Sequence, residues 1–126
     1  VCSSDLIITR TDAHTITFTA TADADTLYTA GNISGSVSLD RNNGTIQKVT
    51  ATGDFNLTGI SNISAGKSMT IIIKQDATGS RLMTSAASFK FAGGVRTLTT
   101  AANAEDILSI FYDGTTYYCA LTRNYS

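Results

Sequence analysis

Apolar and polar residues alternate in short runs along much of this sequence, and a period of two belongs to β-strands with one buried face. The clearest run covers residues 14–20, where Ile16, Phe18 and Ala20 alternate with threonines. Runs with the three-to-four-residue apolar spacing of a helix are nearly missing. The sequence therefore predicts strands joined by turns.

A second set of strands is predicted before the middle of the chain. Val37 and Leu39 continue the alternation, and an apolar run returns at residues 46–51. Between them lies Asn43-Gly44, a pair that favours the positive φ angles of a tight hairpin turn. We therefore expect an antiparallel hairpin here.

Residues 69–75 are apolar on both faces around Ile71, Ile72 and Ile73. A strand that faces water on one side alternates, whereas a continuous apolar run indicates cover on both sides. We therefore expect Ile71 and Ile73 to share one buried face, with Ile72 covered on the other.

The last quarter carries the clearest turn signal. Residues 107–112 and 116–121 are apolar, aromatic and β-branched, and Asp113-Gly114 joins them, which predicts a hairpin. Strands at intervals of roughly 8 to 12 residues with turns between them are typical of sandwiches and jelly rolls. The predicted fold is a single all-β domain, an antiparallel β-sandwich of jelly-roll type.

Charge and hydropathy exclude two classes of partner. Charged residues make up 15% of the chain and the formal net charge is -1, so a polyanion such as nucleic acid is not an expected partner. The longest aliphatic stretch is three isoleucines, whereas a membrane-spanning helix needs roughly 20 apolar residues. We expect no membrane insertion.

Groups for catalysis are scarce. His14 is the one histidine, and no motif gives it a nucleophile or an orienting partner. Cys119 lies among apolar residues, as a buried small side chain would. Asp23-Ala24-Asp25 lacks the spacing of a calcium loop. The other candidate carboxylates fall at expected turns, where aspartate binds backbone amides: Asp40, Asp54, Asp76 and Asp113. We therefore predict no enzyme, no cofactor and no metal site.

The chain divides into three predicted parts. Residues 1–6 resemble the translation of a common sequencing adapter, which would mark a metagenomic origin; the alternative is a mature N-terminal tail. Residues 7–34 are expected to form N-terminal strands, or an arm, and a linker. Residues 35–126 are the predicted β-sandwich module.

Four segments in order resemble a β-rich module found near the C-terminus of virion structural proteins of tailed bacteriophages, tail fibre and other surface proteins among them. The segments are GSVSLD at 35–40, AGKSMTIIIKQDATGSR at 65–81, KFAGG at 90–94 and LTTAANAEDILSIFYDGT at 98–115. The resemblance implies a virion or extracellular location and brings no active-site residues. It implies an exposed, non-enzymatic part of a tail fibre, spike or capsid decoration that acts in assembly or host-surface attachment.

Such a part is expected to bind itself, with a trimer favoured, and other virion proteins, and it could bind a cell-surface glycan. Two other classes remain open. One is a subunit of an extracellular filament or lattice, in which residues 7–20 would be donated as a strand. The other is a carbohydrate-binding module of a secreted protein, which would need an aromatic patch.

Neighbouring residues of a strand point in opposite directions, so Tyr117 and Tyr118 cannot both be buried. The predicted interaction surface consists of Tyr117 or Tyr118 together with Asp113, Lys90 and Arg96. The alternative is that the tyrosines only cover the edge of the core.

Overall fold

The computed structural model describes residues 6–10, 16–20 and 24–126. Residues 1–5, His14 and Asp23, for which the sequence analysis makes predictions, lie outside these residues. The first two described segments, β1 (Leu6–Arg10) and β2 (Ile16–Ala20), pair antiparallel and form a two-stranded sheet of their own.

Seven further strands form the main sheet. In chain order they are β3 (Leu27–Asp40), β4 (Ile46–Ser61), β5 (Ser68–Gln75), β6 (Met83–Ser85), β7 (Phe89–Phe91), β8 (Glu105–Tyr112) and β9 (Tyr117–Tyr125). Their order in the sheet is β3-β4-β5-β8-β9-β7, with β6 paired to β4. The helical elements of the described chain are two short 3-10 turns, Arg41–Asn43 and Ala92–Gly94. The all-β prediction is confirmed.

The strand pairing differs from the antiparallel, jelly-roll arrangement that the sequence predicts. Only β5–β8 and β8–β9 in the main sheet are antiparallel, whereas β3–β4, β4–β5, β4–β6 and β7–β9 are parallel. The expected hairpin at Asn43-Gly44 is wrong for the same reason. Asn43 ends a 3-10 turn and Gly44 has an extended φ of 171°, so the pair does not reverse the chain into an antiparallel partner.

The parallel pairs arise because the chain coils. Leu27 pairs with Ile46, and Ile46 pairs with Thr70, so the chain returns beside its own earlier path twice. Parallel neighbours normally need a long crossover outside the sheet. Here β3 itself travels round the coil and brings Ile46 back beside Leu27, as in a β-solenoid.

Glycines and threonines fix this coil. Gly31 and Gly35 have φ angles of +85° and +66°, and the β3–β4 register shifts beside both, which bends the strand. Thr26 and Thr45 are 19 residues apart and lie on successive turns of the coil. The Thr26 amide donates a hydrogen bond to Thr45 Oγ1 at 3.0 Å. The Thr58 hydroxyl likewise donates to the carbonyl of Val37 one turn away.

A short segment connects β4, near one end of the sheet, with β7 at the other end. β6 pairs with the second half of β4, and β7, three residues further on, pairs with β9. The sheet thus curves around one core. Its most buried large apolar side chains, at most 2% exposed, are Val49, Leu57, Ile71, Phe89, Leu108 and Ile110.

β5 lies in the middle of the sheet, as predicted, but its two faces differ. Ile71 and Ile73 are 2% and 3% exposed and share the core face. Ile72 is only half-buried, so the prediction that its face is also covered is wrong. The outer face of β5 is partly open to solvent.

Most of the candidate carboxylates have the predicted turn role. Asp40 accepts from the Asn42 amide, Asp76 from those of Thr78 and Gly79, and Asp113 from two amides of its own turn. Asp54 is the exception. It lies within β4 and accepts from the Leu82 amide, so it ties the start of the β6 segment to β4.

The expected boundary between residues 34 and 35 falls inside β3, which pairs with β4 along its length. No helix in the described segments is long and apolar enough to cross a membrane.

Candidate functional site

The C-terminal hairpin places two rows of side chains on opposite faces of the sheet. Asp113 donates its amide to the Thr116 carbonyl, and Gly114 takes a φ of +103°, which closes the predicted turn between β8 and β9. β7 then lies parallel to β9, with Phe89 beside Tyr117 and Lys90 beside Tyr118. Because residues alternate along each strand, one row faces the core and the other faces outward.

Aromatic rings make up the inner row. The Tyr117 ring lies between Phe89 and Tyr112, with centroid distances of 4.3 Å and 4.5 Å. The Tyr117 hydroxyl lies 3.3 Å from the carbonyl oxygen and 3.4 Å from the amide nitrogen of Ile60 on β4. Tyr117 is therefore half-buried, with its ring packed against the core and its hydroxyl directed toward β4.

The outer row is exposed and runs across four strands. Ser68 pairs with Phe111, Phe111 with Tyr118, and Tyr118 with Lys90. Phe111 and Tyr118 are 46% and 49% exposed, which leaves two large aromatic rings side by side at the surface. We call Phe111, Tyr118 and Lys90 the aromatic row.

A hollow of about 620 Å³ lies beside the aromatic row. Small side chains of the next cross-strand row form its floor, namely Thr70, Ser109 and Ala120. Large rings beside small hydroxyl-bearing residues give a step in the surface. Such a step can take an apolar group against the rings and a polar group against the hydroxyls.

Asp113 belongs to the same end of the sheet. The amides of Thr116 and Thr115 hold the pKa of this carboxyl below its usual value, and a hydrogen bond from the Tyr118 hydroxyl adds to the effect. Asp113 is therefore a turn residue that lies near Tyr118.

Arg96 takes a different position. Its guanidinium lies 5.0 Å from the centroid of the Phe91 ring, which is itself buried on the core side of β7. This cation–π contact covers the end of the core. The structure thus groups Tyr118, Lys90 and Asp113, turns Tyr117 inward, and gives Arg96 a capping contact.

Phe111 was missed at the sequence level. Phe111 and Tyr112 are adjacent aromatic residues in a strand, as are Tyr117 and Tyr118, so one of each pair must face outward. That rule, applied to β8, would have identified an exposed ring there too.

The described residues contain no group of three or more His, Cys, Asp or Glu side chains placed to hold a metal ion. Cys119 is 4% exposed, as predicted, and burial raises the pKa of its thiol to about 12. A neutral, buried thiol is a poor nucleophile.

Comparison with known proteins supplies the family. Searches of curated proteins and of solved structures returned no significant match. A family sequence model described as "Putative phage tail fibre C-terminal domain" matches residues 10–117, which is most of the chain. The chain therefore belongs to this family of phage tail fibre C-terminal domains, and its role is that of a structural part of a phage tail.

Proposed function

We propose that this domain is an exposed, non-enzymatic end of a tail fibre that contacts saccharides on the host surface through the aromatic row and the adjoining hollow. The observation that carries the proposal is the pairing of Phe111 with Tyr118, two half-exposed rings in direct cross-strand register. Two such rings next to each other form an exposed apolar patch, which is a kind of surface that binds partners.

The chemistry of the row suits a sugar. Ring faces stack on the apolar C–H surface of a pyranose, while hydroxyls and an ammonium group bind its polar rim. Ser109 and Thr70 supply hydroxyls in the hollow, and Lys90 supplies the charge. The rings lie on regular strands, so little conformational freedom is lost when a ligand binds.

We also propose that the domain acts as a homo-oligomer, with a trimer favoured, that joins other virion proteins. Fibres are built from symmetric copies, and a small domain gains buried area by association. Among the described strands, β3 lies at the edge of the main sheet and offers unpaired backbone groups for this contact.

The attachment proposal is tested with labelled full-length chain and host cells. We expect Tyr118→Ser and Phe111→Ser each to reduce adsorption roughly tenfold, which corresponds to about 1.4 kcal/mol. Tyr125→Ser is the matched control, because Tyr125 is 48% exposed but lies at the far end of β9. Removing surface polysaccharide from the cells should have the same effect as the first two changes.

Two results would contradict this proposal. One is normal adsorption by both row variants at unchanged thermal stability. The other is equal loss with Tyr125→Ser, which would indicate a general effect of removing surface aromatic residues.

A further inference from the structure

The coil ends in an open strand edge. Among the described strands, β3 stands last in the main sheet and pairs with β4 alone. Its 14 residues include neither a charged residue nor a proline before Asp40. Proteins usually protect an edge of this length with such residues, since unpaired backbone groups recruit other strands. The register shifts in β3 divide the edge into short segments but leave it uncovered.

A hollow of about 420 Å³ lies on the same end of the coil. Ile33, Val37 and Leu39 of β3 contribute to its lining, and so does Gln47 of β4. Ile33 is half-buried although its partner Ala51, one turn further in, is completely buried. The first turn is therefore less covered than the second at Ile33, whereas Val37 and Leu39 are buried.

Gln47, which lines the same hollow, has one polar atom without a hydrogen-bond partner in the described part of the chain. It is 1% exposed, and its Nε2 donates to the carbonyls of Asp40 and Gly44 at 2.6 Å and 3.1 Å. Its Oε1 accepts no hydrogen bond from the described residues. A buried acceptor without a donor costs free energy, so the polar groups at this end of the coil are not all satisfied by the described residues.

Among the described strands, the β3 edge lacks a partner strand, and the β1–β2 pair lacks a sheet to join. It forms a separate two-stranded sheet, and neither strand pairs with the main sheet. A two-stranded hairpin is marginally stable in water unless another strand or a core covers it. In sequence, Ile16, Phe18 and Ala20 alternate with threonines, which is the pattern of a strand with one apolar face and suits pairing beside the first turn.

We infer that β2 of one copy of this chain adds to the free edge of β3 in a neighbouring copy. This inference rests on the proposed self-association and specifies which strands form the contact between copies. Each copy would donate one strand and receive one, which is a heterologous contact that closes into a ring when the copies are related by rotation.

Disulfide trapping in the full-length chain tests this pairing. Two variants are made in a Cys2→Ser background, Thr17→Cys in β2 and Ser36→Cys in β3. They are mixed and oxidised, and one of them carries ¹⁵N so that a mixed dimer can be recognised by its mass. Ser36 is exposed on the edge strand. We expect a disulfide-linked mixed dimer, at least about tenfold more abundant than with Thr100→Cys as the partner, because docked thiols have a high effective concentration.

The double variant Thr17→Cys with Ser36→Cys separates the possible occupants. Covalent multimers support pairing between copies, whereas an intrachain disulfide would mean that β2 covers its own β3 and would overturn the inference. Light scattering on the unoxidised samples distinguishes the remaining outcomes. Oligomers without the cross-link would overturn the strand site and leave the proposed self-association standing, and monomers without it would overturn both.

Discussion

Phe89 and Tyr117 stack face to face, with centroids 4.3 Å apart and planes at 11°, and so join the short strand β7 to the C-terminal hairpin. The adjacent residues Lys90 and Tyr118 face the opposite way and are exposed. The same two strands thus supply part of the core and part of the proposed contact surface. Changes at the neighbouring residues Tyr117 and Tyr118 should therefore have different effects on stability.

Replacing Tyr117 by Ser should destabilise the domain by about 3 kcal/mol or more, since it removes two ring contacts and leaves a cavity. Tyr117→Phe keeps the stacking and loses the hydroxyl contacts with Ile60, so its cost should be about 1 kcal/mol. Tyr118→Ser should change the free energy of unfolding by less than about 0.5 kcal/mol. Urea denaturation measures all three, and equal losses at both tyrosines would contradict the assigned orientation.

The two faces of β5 predict unequal costs. Ile71→Ala should destabilise by about 2 to 5 kcal/mol because the site is fully buried. Ile72→Ala should cost clearly less, since part of that side chain already contacts water. The comparison is made by urea midpoints, with Thr100→Ala as an exposed control. An Ile72 loss as large as that of Ile71 would show that its face is covered in solution, for instance by another copy.

Asp106 should be the most sensitive carboxylate for folding. It is 1% exposed and accepts from the amides of Thr99 and Asn124 at 2.7 Å and 2.8 Å. Asp106→Ala leaves both amides without this acceptor, at about 1 to 3 kcal/mol each. Asp106→Asn retains one acceptor oxygen and should cost less. Thermal unfolding of the two variants checks the order, and a neutral Asp106→Ala would refute the role.

Acid should weaken the loop between β5 and β6. Arg81 forms two hydrogen bonds to Asp76, at 2.7 Å and 3.2 Å, and together with the Gly79 and Thr78 amides lowers the pKa of Asp76 below 3.8. A carboxyl whose pKa is lowered by folding stabilises the protein fully above its unfolded value. That stabilisation is lost as the pH falls below 3.8 and through the lower folded value.

Asp76→Asn should therefore reduce the stability difference between pH 6 and pH 3, as measured by urea unfolding at both values. Asp54→Asn provides the matched control within the same region of the fold. If Asp76→Asn retains the full pH dependence, the Arg81 contact does not contribute to it.

Cys119 should resist thiol reagents while the protein is folded. Its thiol is buried and its pKa is raised to about 12, so almost no thiolate is present at pH 8. In a Cys2→Ser variant, labelling by a disulfide reagent should be slow in buffer and rapid in urea. Rapid labelling in buffer would mean that β9 opens locally.

The sequence was informative where structure depends on neighbouring residues. Asp113-Gly114 identified its hairpin because both flanking strands and the turn residues agree. The apolar run at Ile71, Ile72 and Ile73 identified β5 as a core strand, but it did not show that only the face of Ile71 and Ile73 is fully buried. The sequence showed that one of Tyr117 and Tyr118 faces outward but not which one. Residues 117–121 are compatible with either set of alternate side chains facing the core.

Pairing between distant segments was not predictable in the same way. Asn43-Gly44 has the composition of a hairpin turn, yet the register of β3 against β4 decides that the strands run parallel. That register depends on bends at Gly31 and Gly35, which look like ordinary loop glycines in the sequence. Arg96 was grouped with Lys90 by proximity in the chain, whereas its position over Phe91 depends on the 3-10 turn between them.

The stacking of Thr26 on Thr45 also limits how such a chain can change length during evolution. Deleting one residue inside β4 would turn every later side chain of the strand to the opposite face. Because β4 pairs with β3 on one side and with β5 and β6 on the other, the deletion would disrupt the register on both sides. Residues added at a corner, such as the segment between Ser61 and Ser68, would only enlarge a surface loop. Related fibres should therefore differ in length at the corners of the coil, which is where a phage could vary the outline of its fibre without rebuilding the coil.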